Sequence, residues 1–452
     1  MIETEQDLQT FQTENKFGDL IVHAVPADDD KHPCATKACL IFLRNISTSK
    51  TYYFSICHPD SVPTISYVRF LEVLRELATH FWALDKKTFD QLVTLPDVLD
   101  GNLASYLTDN TILELSEYDT TAHKMVKRNS IGHRQINQAI PLFKLKESFD
   151  EMAYDLTPII QNMVLNETVS YFNFFIIKTL GMVEQQGIFV DREKFKEHFD
   201  TECDLNGFVH SQYNVYTSTG RPSNRFGGIN YAALNQTDGS RSCFRSRYGD
   251  DGRIVVIDYT AFHPRIISNL TEYPIPVDTD IYEYLAKLYF QKRTVDETDI
   301  ANAKQLTFRQ LYGGVEDKYA HIKYLANLKT YINQQWEFFQ KHGYVETPLF
   351  KRKITTYHIQ EPNPTKIFNY LLQAVEGEIA IPKVQTVLEY LHKTGKKTKG
   401  ILYTYDSMIY DFHRLDGVET LVEIQRIMSG NGIFPMKTYI GKTYQDVKLV
   451  SI

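Results

Sequence analysis

The sequence lacks the features that mark disulfide-stabilised and membrane-spanning proteins. Its five cysteines are odd in number and scattered through 452 residues, which predicts reduced thiols rather than a disulfide framework. No apolar run reaches the ~18 residues that a helix needs to cross a bilayer. The first residues, MIETEQDLQTFQTEN, also lack the basic and apolar pattern of a secretory signal. We therefore expect a cytoplasmic protein without a membrane segment.

A strongly basic composition is lacking as well. The formal net charge is −7, so the total gives no nucleic-acid signature, although a basic groove can lie on an acidic body. Tryptophans number only 2, but 29 tyrosines and 27 phenylalanines raise the aromatic share to 13%. This content is typical either of base-stacking surfaces or of an aromatic-rich core. The length allows two or three domains.

Two aspartates lie at the ends of predicted strands. The apolar run Ile-Val-Val-Ile ends at Asp258, and residues 401–405 and 408–412 predict a β-hairpin with Asp406 and Ser407 at its tip. Two carboxylates on separate strands can converge on paired divalent metals, which is the arrangement used for in-line phosphoryl transfer. The alternative is that both are ordinary turn residues at strand ends.

Residues 296–312, DETDIANAKQLTFRQLY, predict a helix that begins with acidic residues. Lys304, Phe308 and Tyr312 follow each other at four-residue spacing and therefore share one face. A lysine, a phenyl ring and a phenol in one stripe can pair with phosphates, stack on a base and hydrogen-bond a sugar. An amphipathic core helix with a lysine at its edge is the alternative.

Polar side chains outside this helix suggest contacts with a nucleic acid. Asn369 and Gln373 share a helix face within TKIFNYLLQAVEGEIA, and their amides can hydrogen-bond base edges in a minor groove. The turn TGRPSN supplies Arg221, Ser223 and Asn224, which suit a phosphate or sugar clamp. Each group alone is also consistent with an ordinary solvated surface.

The order of these motifs resembles that of family A DNA polymerases, the DNA polymerase I-like group. TGR, a strand ending in Asp-Tyr, Lys-x3-Phe-x3-Tyr-Gly, Asn-x3-Gln and a hairpin with an aspartate at its tip follow one another. VIDYTAFHPR matches the first catalytic motif in its Asp-Tyr and its closing arginine, and LGMVEQQGIFVD resembles the segment that opens the polymerase region. The resemblance covers about residues 175–452.

The resemblance implies a multidomain chain of the α/β and α+β classes. An RNase H-like domain of the 3′–5′ exonuclease type would precede a right-hand polymerase with an antiparallel palm sheet, helical fingers and a rudimentary thumb. The implied boundaries are an exonuclease-like domain at 1–160, connecting helices and reduced thumb at 161–218, the palm at 219–270 and 361–452, and the fingers at 271–360.

The resemblance also implies template-directed addition of dNTPs to a primer 3′-hydroxyl with two Mg²⁺ ions. Asp258, Asp406 and the backbone carbonyl of Tyr259 would hold the metals, and Lys304 would meet the triphosphate as a general acid. The nucleotide pocket would also contain His263, Tyr282, Phe308 and Tyr312. Primer–template DNA would contact Arg221, Ser223, Asn224, Asn369 and Gln373.

Several positions depart from the family pattern. His263 replaces the glutamate that usually gates against ribonucleotides, and Ile300 replaces an arginine that meets the triphosphate. Arg309 replaces a glycine, and Tyr282 replaces a histidine. Ser407 follows the second aspartate, where a glutamate is usual. Because both metal aspartates are kept, we expect catalysis with a slower or less selective nucleotide step.

The first 160 residues resemble a degenerate exonuclease domain. Its first motif is represented at best by Asp28 and Asp30, and its second by Asp90. In the third motif, Ala153 stands where an aspartate is expected, with Asp155 two residues later. Since proofreading needs four carboxylates around two metals, we expect a scaffold without exonuclease activity.

Two alternative functions remain open. A sugar-promiscuous or RNA-synthesising relative is consistent with His263, and a non-catalytic DNA-binding or replisome scaffold could keep the same fold. Retention of Asp258, Lys304, Tyr312 and Asp406 argues against the scaffold. Compactness and motif style suggest a phage or viral enzyme that acts in a bacterial cytoplasm, where a processivity or replisome protein is a candidate partner.

The short segment between Asp191 and Thr219 predicts weak binding of duplex DNA, because family A polymerases have a long helical thumb at this point of the chain. Loss of thumb–phosphate contacts should make DNA binding weak and salt-sensitive and processivity low. Primer extension in the presence of excess trap DNA measures this property. Long products from single binding events would contradict the prediction.

Overall fold

The computed structural model describes residues 1–29, 31–129, 136–224 and 229–452. The chain divides into two units, Met1–Gly181 and Met182–Ile452. The first unit includes part of the segment predicted to connect the domains, and the finer five-part division stays a prediction. No helix in the described ranges is long and apolar enough to cross a membrane.

The first unit contains a mixed five-stranded sheet. Its strands are β1 (Phe17–Pro26), β2 (Ala38–Asn45), β3 (Thr51–Ser55), β4 (Ala78–Ala83) and β5 (Val98–Asp100). They lie in the order β3-β2-β1-β4-β5. The pairs β1–β2 and β2–β3 are antiparallel, whereas β1–β4 and β4–β5 are parallel. The sequence predicts strands at residues 38–43 and 51–57, joined by a turn of Ser, Thr and Asn residues. The strands β2 and β3 confirm this prediction.

Eight helices belong wholly or partly to the described part of this unit. They are α1 (Glu5–Glu14), α2 (Tyr67–Glu76), α3 (Lys86–Leu92), α4 (Leu103–Asp109), α5 (Thr121–Asn129), α6 (Leu142–Gln161), α7 (Glu167–Tyr171) and α8 (Lys178–Gln186). A π-helical segment, Phe172–Ile177, joins α7 to α8. The border between the units lies within α8.

One predicted helix of the first unit is partly wrong. The apolar residues between positions 68 and 81 recur at helical spacing, which predicts a single amphipathic helix there. In the structure α2 ends at Glu76, and residues 78–83 form β4. The strand contains Thr79, Phe81 and Trp82, which are residue types that favour strands. Pairing with β1 overrides the helical spacing of the apolar residues.

The core of the first unit lies on both faces of the sheet. Along β1, Leu20, Val22 and Ala24 belong to one apolar cluster, whereas Ile21 and Val25 belong to another. This alternation follows from the two-residue period of a strand. Because both faces are covered, β1 reads as a nearly continuous apolar run.

The second unit is built on a five-stranded antiparallel sheet. The strands of the unit are β6 (Ile188–Phe189), β7 (Phe208–Val209), β8 (Tyr213–Asn214), β9 (Ser223–Asn224), β10 (Gly252–Tyr259), β11 (Tyr344–Glu346), β12 (Lys353–Thr355), β13 (Lys399–Tyr403), β14 (Ser407–His413), β15 (Met436–Gly441) and β16 (Lys448–Val450). The main sheet has the order β13-β14-β10-β15-β16. Its central strand, β10, carries the predicted apolar run, and the predicted hairpin is β13–β14.

The helices of the second unit include the predicted polar-faced helix. They are α9 (Arg192–Phe199), α10 (Phe262–Leu270), α11 (Ile281–Phe290), α12 (Glu297–Gly313), α13 (Lys323–His342), α14 (Pro364–Lys393) and α15 (Val418–Met428). Asp296 caps α12, and its side chain accepts a hydrogen bond from the Asp299 amide. Residues 192–218, all of which are described, contain one helix, α9.

The longest helix, α14, is the centre of the second unit. It packs against α10, α12, α13 and α15, and its buried residues point in every direction around its axis. A helix that is covered on all sides needs apolar residues all round. Glu376 and Glu378 are the exceptions, because both are buried although they are acidic.

Candidate active site

The pairing of β10 with β14 brings the two predicted metal aspartates together. Asp258 lies opposite Ser407 in the ladder, so Asp406, one residue earlier, reaches the same end of the sheet. The Tyr259 amide donates a hydrogen bond of 2.8 Å to the Asp406 carbonyl. The sheet therefore fixes the two carboxylates as neighbours although they are far apart in sequence.

The hairpin tip has a strained backbone that aims Asp406. Tyr405 has a φ of 75°, a left-handed conformation that is uncommon for residues other than glycine. The Arg221 guanidinium stacks on the Tyr405 ring at 3.9 Å. The Thr404 amide donates to the Ser407 carbonyl at 2.9 Å and closes the turn. These contacts hold the strained residue in place.

A pocket of about 430 Å³ opens beside the aspartates. It gathers every residue that the sequence assigned to nucleotide binding, together with Arg221 and Tyr259. Its lining includes Arg221, Asp258, Tyr259, His263, Tyr282, Ile300, Lys304, Phe308, Tyr312, Glu376, Asp406 and Lys437. The structure places these residues around one pocket, and their individual roles stay predictions.

One wall of this pocket is aromatic and basic. The rings of Tyr282 and Phe308 lie 6.2 Å apart, and those of Phe308 and Tyr312 lie 6.0 Å apart. The Lys304 ammonium lies 5.7 Å from the Tyr282 ring and 5.9 Å from the Phe308 ring. The four-residue spacing along α12 produces this wall, because it places the three side chains on one face.

Arg265 positions the segment that delivers Tyr282. Its buried guanidinium donates hydrogen bonds to the carbonyls of Ile275, Pro276 and Thr279 at 3.0, 2.8 and 2.5 Å. The carboxylate of Asp280 then caps α11 by accepting from the Tyr282 amide at 2.8 Å. The arginine at the end of the segment VIDYTAFHPR thus supports the aromatic wall.

Glu376 is a pocket residue that the sequence reading missed. The residue is only 1% exposed, and its carboxylate lies 3.1 Å from Arg221 Nε and 3.3 Å from His263 Nε2. His263 Nδ1 contacts the Tyr312 hydroxyl at 2.6 Å. Glu376 follows Gln373 by one helical turn, which is the sequence signal that could have identified it.

A second pocket, of about 630 Å³, opens on the aspartates as well. Its lining includes Asp258 and Asp406 together with Arg241 and Tyr444. The Arg241 guanidinium stacks on the Tyr444 ring at 4.4 Å. Because both pockets contain the two aspartates, the carboxylates lie where the two spaces meet.

Both aspartates are electrostatically destabilised. Burial and the Asp406 carboxylate raise the pKa of Asp258 to about 7, although Lys437 and Lys304 act against this shift. Burial and then the Glu376 carboxylate raise the pKa of Asp406. Protein atoms surround Asp406 closely enough to raise its pKa. Its side chain nevertheless remains accessible to water.

This donor set fits a hard divalent cation. Asp258 and Asp406 offer oxygen ligands, which are the ligands that Mg²⁺ and Ca²⁺ prefer. A bound cation would stabilise the charged carboxylate against the burial and the Asp406 repulsion that raise the pKa of Asp258. The residues present therefore suit the predicted magnesium site, and the number and identity of the ions stay predictions.

The predicted DNA contacts are only partly gathered at the pockets. Arg221 lines the smaller pocket, whereas Ser223, Asn369 and Gln373 line neither. The Asn369 amide nitrogen donates to the Tyr312 carbonyl at 3.2 Å. The side chain of Asn224 lies outside the described residues.

Three of the acidic residues predicted for the exonuclease motifs, Asp28, Asp90 and Asp155, each have a local partner. Asp28 pairs with Lys31 at 3.0 Å, and Asp155 accepts a hydrogen bond from the Tyr118 hydroxyl at 3.1 Å. Asp90 forms an ion pair with Lys86. Ala153 is buried in the core. Asp30 lies outside the described residues.

The chain has the fold of a DNA polymerase domain. One solved structure that shares this fold is the POL domain of Pol1 from M. smegmatis in complex with DNA primer-template and dNTP, with a TM-score of 0.75. The two chains are 14% identical, and the match covers 99% of each. No protein-family model and no curated protein matches the sequence.

At this identity the likeness establishes the fold. It confirms the mixed α/β architecture that the sequence predicted for a polymerase-like chain. The exonuclease-type identity of the first unit and the reduced thumb stay predictions.

The raised pKa of Asp258 predicts a pH-dependent stability. Between the ordinary pKa of 3.8 and about 7, the folded protein holds a proton that the unfolded chain has lost. The free energy of unfolding should therefore fall as pH rises through this window. Asp258→Asn removes the titrating group and therefore the effect. In EDTA, the melting temperature of this variant minus that of the wild type should be larger at about pH 8 than at about pH 5.

The matched control is Asp250→Asn, since Asp250 is an exposed residue of the same unit. Its melting temperature should differ from that of the wild type by the same small amount at both pH values. A pH-independent difference between Asp258→Asn and the wild type would contradict the prediction.

Proposed function

We propose that the chain is a template-directed DNA polymerase that adds dNTPs to a primer 3′-hydroxyl. The observation that carries the proposal is the placement of Asp258 and Asp406 where two pockets meet. One pocket offers a lysine and aromatic rings to a nucleotide, and the other offers space beside the same carboxylates. The likeness of fold to a polymerase domain supports this reading.

Asp258 and Asp406, with the Tyr259 carbonyl, would hold two Mg²⁺ ions, which lower the pKa of a bound hydroxyl and offset charge on leaving pyrophosphate. Lys304 pairs with the triphosphate and protonates the leaving group. Phe308 stacks beside the incoming base and sugar, and Tyr312 closes the pocket toward the template. These residues contribute mainly by positioning and by charge, as phosphoryl transfer requires.

We assign the larger pocket to the primer terminus. It lies against the two aspartates, so a 3′-hydroxyl placed there faces a nucleotide in the smaller pocket. Arg241, held over Tyr444, supplies positive charge to the primer backbone. Arg221, Ser223, Asn224, Asn369 and Gln373 are proposed to contact the duplex near this point.

The first unit is proposed to be a scaffold without proofreading activity. Support comes from the local partners of Asp28, Asp90 and Asp155 and from Ala153 in the core. Carboxylates occupied by lysine or tyrosine are poorly placed to share two metal ions. Membership in family A, a phage or viral origin, a cytoplasmic location and a processivity partner are further parts of the proposal.

Primer extension tests the polymerase proposal. With a labelled primer–template, Mg²⁺ and dNTPs, the wild type should extend the primer. Asp258→Ala and Asp406→Ala should lose about 10³-fold or more in rate, because each removes a metal ligand worth several kcal/mol. Asp250→Ala should behave as the wild type, since Asp250 is exposed and outside both pockets.

The scaffold alternative makes a different prediction in the same assay. No extension by the wild type, with DNA binding equal in all variants, would exclude the proposed catalysis and favour a non-catalytic role. Degradation of the labelled primer without dNTPs would contradict the proposed lack of proofreading.

Sugar selectivity is proposed to depend on the row Glu376–His263–Tyr312, in which Glu376 and His263 are buried. Glu376 restores a carboxylate to the pocket from α14, so His263 and Tyr312 are held as a rigid wall. His263→Ala should reduce the preference for a dNTP over the matching NTP by about 10-fold or more. Glu376→Gln, which keeps the shape and removes the charge, should have a smaller effect.

Single-turnover incorporation of both nucleotides by the wild type and the variants measures this preference. Equal use of dNTP and NTP by the wild type would favour the sugar-promiscuous relative instead. Tyr312→Phe keeps the ring and removes only the hydroxyl that contacts His263, so it tests that contact of the row. Asp250→Ala, at an exposed residue outside both pockets, is the control and should keep the wild-type preference.

A further inference from the structure

Lys437 is a second cation in the smaller pocket that the sequence reading did not single out. In the ladder between β10 and β15, Lys437 lies directly opposite Asp258. Because side chains alternate along a strand, Lys437 shares its face of the sheet with Tyr439, and both residues line the pocket. The lysine is exposed.

The positive groups of this pocket differ in what they contact. Arg221 and His263 both lie against the buried Glu376 carboxylate. Among the described residues, Lys304 and Lys437 have no carboxylate at ion-pair distance, although Lys437 is close enough to Asp258 to lower its pKa. Two ammonium groups that pair with none of the described carboxylates therefore line one small space.

A nucleoside triphosphate brings more negative charge to this pocket than one lysine can offset. Its phosphates would lie near Asp258 and Asp406, which are themselves acidic, so positive groups are needed on the side of the pocket away from the aromatic wall. Ile300 also lines the pocket and contributes no charge. Lys437, on strand β15, is the remaining cation that lines this space, and Lys304 lines it from helix α12.

We propose that Lys437 is a triphosphate-binding residue that contacts the β- and γ-phosphates of the incoming nucleotide from the palm sheet. The inference rests on the proposed function, since it concerns the same pocket. It assigns to β15 a substrate contact, in addition to its structural pairing with β10. Lys304 and Lys437 then hold the polyphosphate between a helix and a strand.

Equilibrium binding of dNTP tests the proposal without chemistry. The full chain is bound to a primer–template whose primer ends in a dideoxynucleotide, with Mg²⁺ present, and the complementary dNTP is titrated by calorimetry. Lys437→Met should weaken dNTP binding by about 10-fold to about 100-fold, the range for loss of a charged hydrogen bond. The matching dNMP, which lacks the β- and γ-phosphates, should bind the variant and the wild type equally.

Two further variants control the experiment. Lys437→Arg keeps the charge and should bind dNTP within a few-fold of the wild type. Lys448→Met removes an exposed lysine from the neighbouring strand β16, outside both pockets, and should leave dNTP binding unchanged.

The outcomes separate this inference from the proposed function. If the wild type binds dNTP tightly and Lys437→Met binds it equally, or if the variant weakens dNMP as much as dNTP, the assignment of Lys437 is overturned. If the wild type binds DNA but neither dNTP nor dNMP, the proposed polymerase function itself fails. Equal thermal melting of wild type and variant confirms that the exposed substitution leaves the fold intact.

Discussion

The antiparallel pairing of β10 with β14 is the constraint on which the second unit depends. Because Asp258 lies opposite Ser407, the backbone ladder holds Asp406 beside it regardless of the repulsion between two carboxylates. Burial and this repulsion raise the pKa of Asp258 to about 7, although Lys437 and Lys304 act against the shift. The sheet thus holds the two carboxylates in an electrostatically unfavourable arrangement, which a bound cation would relieve.

Local sequence patterns predicted several helices and strands of the second unit and the candidate site residues that lie on them. Three features form from residues that are close together in the sequence, so the spacing of apolar and polar residues reveals them. They are the β-branched run of β10, the hairpin that presents Asp406, and the face of α12 with Lys304, Phe308 and Tyr312. The helix predicted at residues 68–81 failed in its last turn because pairing with β1 overrode local spacing.

Residues defined by tertiary contacts were not predictable in the same way. Glu376 and Lys437 carry no motif of their own, and their importance follows from which chemical group the fold places opposite them. A sequence shows that His263 is not a glutamate, but it does not show that α14 brings another carboxylate against that histidine. Such compensation becomes visible only when α10, α14 and β15 are packed around one pocket.

The left-handed Tyr405 has a consequence for how this protein can change. Its backbone conformation costs about 1 kcal/mol or more relative to glycine, yet the ring supports the Arg221 guanidinium beside Asp406. Laboratory selection for heat resistance would favour glycine at this position, whereas selection for a well-aimed carboxylate would keep the aromatic ring. Selection for stability and selection for the proposed catalysis would therefore favour different residues at this one position of the hairpin tip.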